Sequence, residues 1–320
     1  MTFRDRERRK NGIEPQGSRG SQGMHVVKTD SNYLFLLFLC VLYVLCGSTL
    51  FSPLNVLHAQ TAPHAGMVIT RSTRIASGTY RLNAPLSGDS ALITVRGDNI
   101  TLDMRGVTLI GTSLDSTPDA AHGVAIRVDG GRNVRVIGAT VRGYHVALLA
   151  RGTRMLTLEH NDFSYNYKPR LFSVLEHESL ADWLSYHHNE KDEWLRFGAA
   201  MYFVDVRGGA ITSNVAEHGM NGLLLVRSDS LEIRDNSFSF NSGLGIGMYR
   251  ASYNRIVNNR VDYNVRGYSH GYFFRGQDSA DLLMFEQCMH NVVAYNSMTH
   301  GGDTNLELIS KHLPIFTRSQ

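Results

Sequence analysis

A chain of 320 residues, 42% hydrophobic and 19% charged, is long enough for one large domain or two small ones. Its formal charge is only +3, and much of that excess sits in the first 28 residues, so the nearly neutral remainder carries no nucleic-acid footprint. Thirty glycines against seven prolines indicate many tight turns and argue against a disordered chain.

In chain order, residues 1–32 read as a disordered basic N-terminus, with translation starting at Met1 or at Met24. Tyr33 to Gly47, YLFLLFLCVLYVLCG, carries no charge, follows Lys28 and is succeeded by small or polar residues. Residues 33–59 therefore read as a signal peptide, with Ala59 as a cleavage position. The alternative reading is an uncleaved membrane anchor, because 33–52 approaches the roughly 20 residues that span a bilayer. Either reading places the body of the protein outside the cytoplasm: periplasmic, secreted or membrane-anchored. Cys40 and Cys46 fall in the apolar run, which leaves Cys288 alone as a small buried hydrophobe that cannot close an intrachain disulfide.

Residues 60–98 are expected to form an N-terminal cap and first strands. From residue 99 to 303 a repeat is visible: MLTLEHNDFSYN, GAITSNVAEH, LEIRDNSFSFN, NRIVNNRVDYN and NVVAYNSMTH. Their first asparagines are Asn161, Asn214, Asn236, Asn259 and Asn296. Asn214 to Asn236 is 22 residues and Asn236 to Asn259 is 23, while the longer steps of 53 and 37 each contain an insertion. A short strand cannot bury its own apolar face, but stacked equivalents can. Alternation turns Leu156, Leu158, Leu231, Ile233 and Ile256 inward. The recurrent asparagine suits a stack of side-chain amides, and the glycines of HGMNG and SGLGIG suit tight turns. The expected fold is all-β: a right-handed parallel β-helix of about seven coils, preceded by the signal or anchor helix. A β-sandwich would share the strand spacing, but hairpin dipeptides are scarce.

The run YRLNAPLSGDSALITVRGDNITLDMRGVTLIG resembles the opening of bacterial right-handed β-helix repeat proteins, including the pectate-lyase-like and NosD-like families. The resemblance extends over about Thr79 to Asp303 and implies the fold. GYSHGYFFRGQDSADLLMFEQ resembles a block of uncharacterised exported members, and it implies no particular reaction. Residues 304–320 carry no repeat, so they read either as a truncation artefact or as a cap over the last coil.

Both insertions, residues 167–198 and 265–278, are expected at the same turn, three coils apart, as walls of a groove floored by His218, Asn221 and Asn241. Leu175, Leu180, Trp183 and Leu184 have near-helical spacing, which predicts a short amphipathic helix in the first insertion. Trp183 and Trp194 are candidate sugar-stacking residues, with packing onto the coil as the alternative, and Asn221, Asn241 and Arg266 are candidate substrate contacts. β-Elimination of an acidic sugar needs a cation for the carboxylate, a base for the α-proton and an acid for the leaving oxygen. Arg275, His218 or His270, and Tyr268 are the candidates, with His300 nearby. For hydrolysis the candidate pair is Asp278 and Glu217. His187, His188, Glu190 and Asp192 lack an HExxH-type spacing, so no metal ligand is assigned; calcium is compatible with the carboxylates, although no EF-hand loop is present. Glu286 belongs at a different turn. The expected function is binding or modification of an extracellular or envelope polysaccharide by lyase, hydrolase or epimerase chemistry, by a monomer. The alternatives are a non-catalytic carbohydrate-binding solenoid and a NosD-like metal accessory protein.

Overall fold

A computed structural model describes residues 60–85, 90–112, 117–173, 179–182, 184, 187–266 and 279–309. The signal or anchor at 33–59, Trp183, Tyr268, His270, Arg275 and Asp278 lie outside the described residues. Among the described residues, no helix is long and apolar enough to cross a membrane.

The chain winds into two nine-stranded sheets in which every pairing is parallel. The first sheet runs from Met67–Ile69 to Thr304–Ile309, and its strands are consecutive turns of one solenoid. Its register places Leu148 beside Met201, then Leu223, Ile246, Leu282 and Leu306. The second sheet stacks Leu156, Gly209, Leu231 and then the shorter strands Arg255–Val257 and Val292–Ala294. A third face is held by single bridges, Asp162 to Val215, Ser237, Arg260 and Ser297. The inward residues of all three faces meet in one core that includes Leu156, Leu158, Leu231, Ile233 and Ile256, as alternation requires.

The coils extend further than the sequence indicated. The first sheet has nine strands, of which Met67–Ile69 and Ala91–Val95 pair within residues 60–98, ahead of the repeat read from residue 99. At the other end, Thr304–Ile309 pairs with Ala280–Phe285 instead of forming a non-repeat tail. These outer coils lack the ladder asparagine, so the pattern that marks the middle of the solenoid does not mark its ends.

The ladder itself is as expected. Each amide donates to the next: Asn161 to Asn214 at 2.9 Å, Asn214 to Asn236 at 3.0 Å, Asn236 to Asn259 at 2.9 Å and Asn259 to Asn296 at 3.0 Å. The same oxygens also accept backbone N–H groups one coil back, and each amide nitrogen reaches a backbone carbonyl. The residue before each asparagine is left-handed: His160, Ser213, Asp235, Asn258 and Tyr295 have φ of 54 to 58°. Replacing Asn236 by alanine removes the acceptor for both the backbone and side-chain donors of Asn214, and the donor to Ile211 O. Asn236→Ala is expected to lower unfolding stability by about 3 kcal/mol, read from the urea midpoint.

Candidate functional site

The turn between the third face and the first sheet carries a second amide ladder. Tyr144 N donates to Asn166 Oδ1, Gly219 N to Asn241 Oδ1 and Asn241 N to Asn264 Oδ1. Asn166 and Asn264, after which the two insertions leave, thus occupy equivalent positions, and both insertions start at one turn as expected. Asn241 is a rung of this ladder and 1% exposed, and its amide nitrogen donates to Ala216 O and Phe238 O. Asn221 is fully buried; it donates to Gly198 O and accepts from Leu244 N. Neither has surface left for a substrate, which corrects their assignment as groove floor: an amide that closes the backbone of adjacent coils cannot also face solvent.

The first insertion is not a wall. It lies as a strap across the outer face of the first sheet. That face is apolar, with Tyr202, Val204, Leu224, Val226, Tyr249, Leu283 and Phe285, and Leu184, Trp194 and Phe197 of the strap cover it to form a second core. Trp194 is fully buried, meets Tyr249 and Phe285 edge-on, and donates its indole N–H to His187 O at 2.6 Å. It packs the strap and offers no face to a sugar. The expected amphipathic helix is replaced, in the described residues, by short 3₁₀ turns at Leu180–Asp182 and Glu193–Phe197. The buried Asp182 carboxylate takes the N–H groups of Phe172 and Ser173, which bends the segment back on itself.

Ion pairs fasten the strap. Asp192 meets Arg151 at 2.7 Å, Glu190 meets Arg250 at 2.6 Å, and His188 meets the buried Glu286 at 2.7 Å. The polar run singled out in the sequence is therefore a set of clasps, and the described residues contain no group of three metal-ligating side chains. Glu286 lies, as expected, away from the insertion turn. Burial pushes the Cys288 thiol up, so it is not an activated thiolate.

Two cavities open where the strap leaves the corner. One, of about 430 Å³, is lined by His122, Gly123, Val124, His145, Val146, Asp192, Leu195 and Arg196. The other, of about 220 Å³, includes Tyr167, Arg170, Phe172, Asp182, Arg196 and Arg266. Arg196 is common to both. One of its terminal nitrogens donates to His187 Nε2 at 2.6 Å and to Ala181 O at 3.2 Å, and no carboxylate pairs with it among the described residues. Because a guanidinium only donates, His187 Nε2 accepts; burial and then Arg196 hold that imidazole below its ordinary range. His145 Nε2 meets Leu195 O at 2.8 Å. A carbonyl only accepts, so Nε2 carries the proton and Nδ1 keeps the lone pair. Burial lowers the His145 pKa, which favours this neutral form. Its ring lies 4.2 Å from that of Tyr167, whose hydroxyl burial keeps protonated. Arg266 is fully buried and stands among the residues around the second cavity.

His218 stands elsewhere. Tyr165, His218, Phe240, Tyr263 and His300 form a stack along the third face, with centroids 4.7, 5.4, 5.4 and 4.5 Å apart. Neighbouring rings cover both faces of His218, and Glu217 is engaged by Ser237 on the same face. Neither residue lines the cavities. The ladder was legible: each ring follows a ladder asparagine by four positions. Arg196 carries no such signal because it lies on the strap, and His145 carries none because the residues in register with it are Gly123 and Gly198.

The sequence profile described as "Right handed beta helix region" matches residues 122–267 and 195–317. The chain belongs to this right-handed β-helix family. Among proteins of curated function, none matches this β-helix chain. DFA-IIIase from Arthrobacter chlorophenolicus A6, crystallised in complex with GF2, is similar over 72% of this chain and 58% of its own, at 13% identity and a TM-score of 0.46. The same enzyme in complex with DFA-III has a TM-score of 0.46 at 12% identity, over 72% of this chain and 63% of its own. The β-helix chain thus spans about three-fifths of the DFA-IIIase length. The A-module of mannuronan C-5 epimerase AlgE4 from Azotobacter vinelandii is similar over 79% of this chain and 87% of its own, at 11% identity and a TM-score of 0.28.

A buried carboxyl sits at the root of the second insertion. Asp281 is fully buried; Oδ1 accepts from Asn264 at 2.9 Å and Oδ2 has no partner among the described residues. Burial pushes its pKa up to about 7. A folded pKa above the unfolded value of 3.8 means that its stabilising contribution is complete below that value and is lost as pH rises through about 7. Asp281→Asn keeps the acceptor for Asn264 and is expected to flatten this part of the stability–pH curve, measured by denaturant midpoints. Trp194→Ala should lower stability by about 3–5 kcal/mol in thermal unfolding, as expected for loss of a buried ring.

Proposed function

We propose that this protein acts on an acidic polysaccharide at the cleft around Arg196. The observation that carries the reading is Arg196 itself: a guanidinium with no carboxylate partner among the described residues, shared by two cavities. A cation so placed suits a carboxylate brought by the ligand. His145, neutral and with the lone pair on Nδ1, is the base, and Tyr167, held protonated, is the acid.

In β-elimination, His145 takes the proton α to the sugar carboxylate. That electron pair forms the C=C bond, the C–O bond to the leaving sugar breaks, and the Tyr167 hydroxyl supplies the proton to the departing oxygen. Arg196 stabilises the charge that builds on the carboxylate. Return of a proton to the opposite face would give epimerisation from the same set. Hydrolysis by Glu217 and Asp278 has less support, because Glu217 lies on the third face with its carboxylate bonded to Ser237. Tyr268, His270, Arg275 and Asp278 remain proposals for the stretch that follows Arg266. Export as a monomer, proposed from the apolar run at 33–47, would bring the cleft to extracellular or envelope polymers.

The test is incubation with uronate polymers, following the ultraviolet absorbance of the unsaturated product. Activity is expected, with Arg196→Gln losing about a hundredfold in kcat/KM. Because the His145 pKa is lowered, the acidic limb of the pH–rate profile should fall below the ordinary histidine range. Absence of turnover and of epimerised product on every uronate polymer would overturn the reading.

A further inference from the structure

At the other end of the first-sheet strands, where the chain turns into the second sheet, three arginines stand in register on consecutive coils. Arg132 pairs in the ladder with Arg154, and Arg154 with Arg207. All three are exposed. Successive coils are about 4.8 Å apart, so the row is on the order of 10 Å long and parallel to the solenoid axis.

Like charges directly opposite one another destabilise a sheet. Several other surface arginines are matched: Arg135 with Glu159, Arg255 with Glu232 at 3.0 Å, and Arg227 with Asp205 at 2.9 Å. The three guanidinium groups of the row make no hydrogen bond and no ion pair among the described residues. The row ends on carboxylates, Asp98 and Asp229, but these accept the backbone N–H groups of Arg132 at 2.7 Å and Ser252 at 2.8 Å.

Glycines flank the arginines in the chain. Gly130 and Gly131 precede Arg132, Gly152 comes just before Arg154, and Gly208 and Gly209 follow Arg207. At Gly209 (φ 124°) a Cβ would fall 1.9 Å from Leu156 O, so no side chain fits there. The next outward positions beside Arg154 and Arg207 are the small Thr157 and Ala210. Met155, 49% exposed, reaches over Gly208 between Arg154 and Arg207 and offers an extended chain an apolar contact beside the guanidinium groups.

We propose that Arg132, Arg154 and Arg207 form a binding ridge for a linear acidic polysaccharide, distinct from the Arg196 cleft. The strand Val146–Arg151 runs from the cleft residue Val146 toward the ridge, a span of roughly 20 Å. A long polymer held on the ridge stays near the cleft, which raises its effective concentration there. The choice of an acidic glycan rests on the proposed function. A single-stranded nucleic acid is disfavoured because no aromatic faces alternate with the arginines to stack its bases, and because the chain is nearly neutral overall, at +3.

The experiment measures binding of the full chain to polygalacturonate, neutral dextran and a single-stranded oligonucleotide at about 50 and about 200 mM salt. The parent is expected to bind polygalacturonate, to weaken with salt, and to ignore dextran. The Arg132→Gln/Arg154→Gln/Arg207→Gln variant should bind about tenfold more weakly with a shallower salt dependence. Its melting temperature should be unchanged or higher, and its turnover of short oligouronates should match the parent. Arg255→Gln, which loses a paired arginine, should bind as the parent does. Equal polygalacturonate affinity in the triple variant and the parent overturns the ridge, as does failure of the parent to bind at low salt. Tighter binding of the oligonucleotide overturns the choice of glycan. Loss of turnover in Arg196→Gln with polymer binding intact separates failure of the cleft from failure of the ridge.

Discussion

A buried ladder amide in this parallel solenoid ties its own coil to the next, and this constraint organises the rest of the molecule. The carboxamides of Asn161, Asn214, Asn236 and Asn259 each accept from one neighbour and donate to the next. A slip of one residue would break the amide chain and turn the inward leucines to solvent at once. Because every rung is tied on both sides, extra chain enters without penalty to the register only at the turns. The second ladder, through Asn166, Asn241 and Asn264, marks such a turn, and both long insertions leave immediately after its members.

That placement determines where a ligand can go. The strap emerges at the corner and crosses a sheet face made of Tyr202, Leu224, Tyr249 and Phe285, which would otherwise be an exposed apolar surface. Trp194 and Phe197 cover it, and the clasps to Arg151, Arg250 and Glu286 hold the strap in place. A strap so attached does not leave an open groove. What remains are cavities at its margin, where Arg196 meets His145 on one side and Tyr167 and Arg266 on the other.

The fold was legible because it is periodic. The spacing of Asn161, Asn214, Asn236, Asn259 and Asn296 identifies coils, insertions and inward residues by arithmetic alone. The same arithmetic applied four residues on would have exposed the ring stack and taken His218 out of the candidate base set. The site was less legible for a physical reason. Asn221 and Asn241 look like exposed turn residues in a one-dimensional reading, and only the stacked coils show that their amides close the backbone of neighbours. Trp194 looks like a sugar platform until the apolar face beneath the strap is known. Arg196 lies on the strap, outside the repeat register, so no pattern could pair it with His145, 51 positions earlier.

Charge shows the same division between repeated and singular positions. Across the coils several arginines meet a carboxylate one rung away, as Arg142 does with Asp162 at 2.8 Å and Arg227 with Asp205. This is what a stacked lattice requires, since identical neighbours repeat any unmatched charge at every step. Arg196 escapes the rule because it sits on the strap, off the lattice. Arg132, Arg154 and Arg207 break it on the lattice, where the repulsion recurs at each step. Both departures sit at ends of the first-sheet strands, beyond the edges of the apolar face that the strap covers. A polymer with regularly spaced anionic groups would relieve both, neutralising the row along the axis and meeting the single cation at the corner.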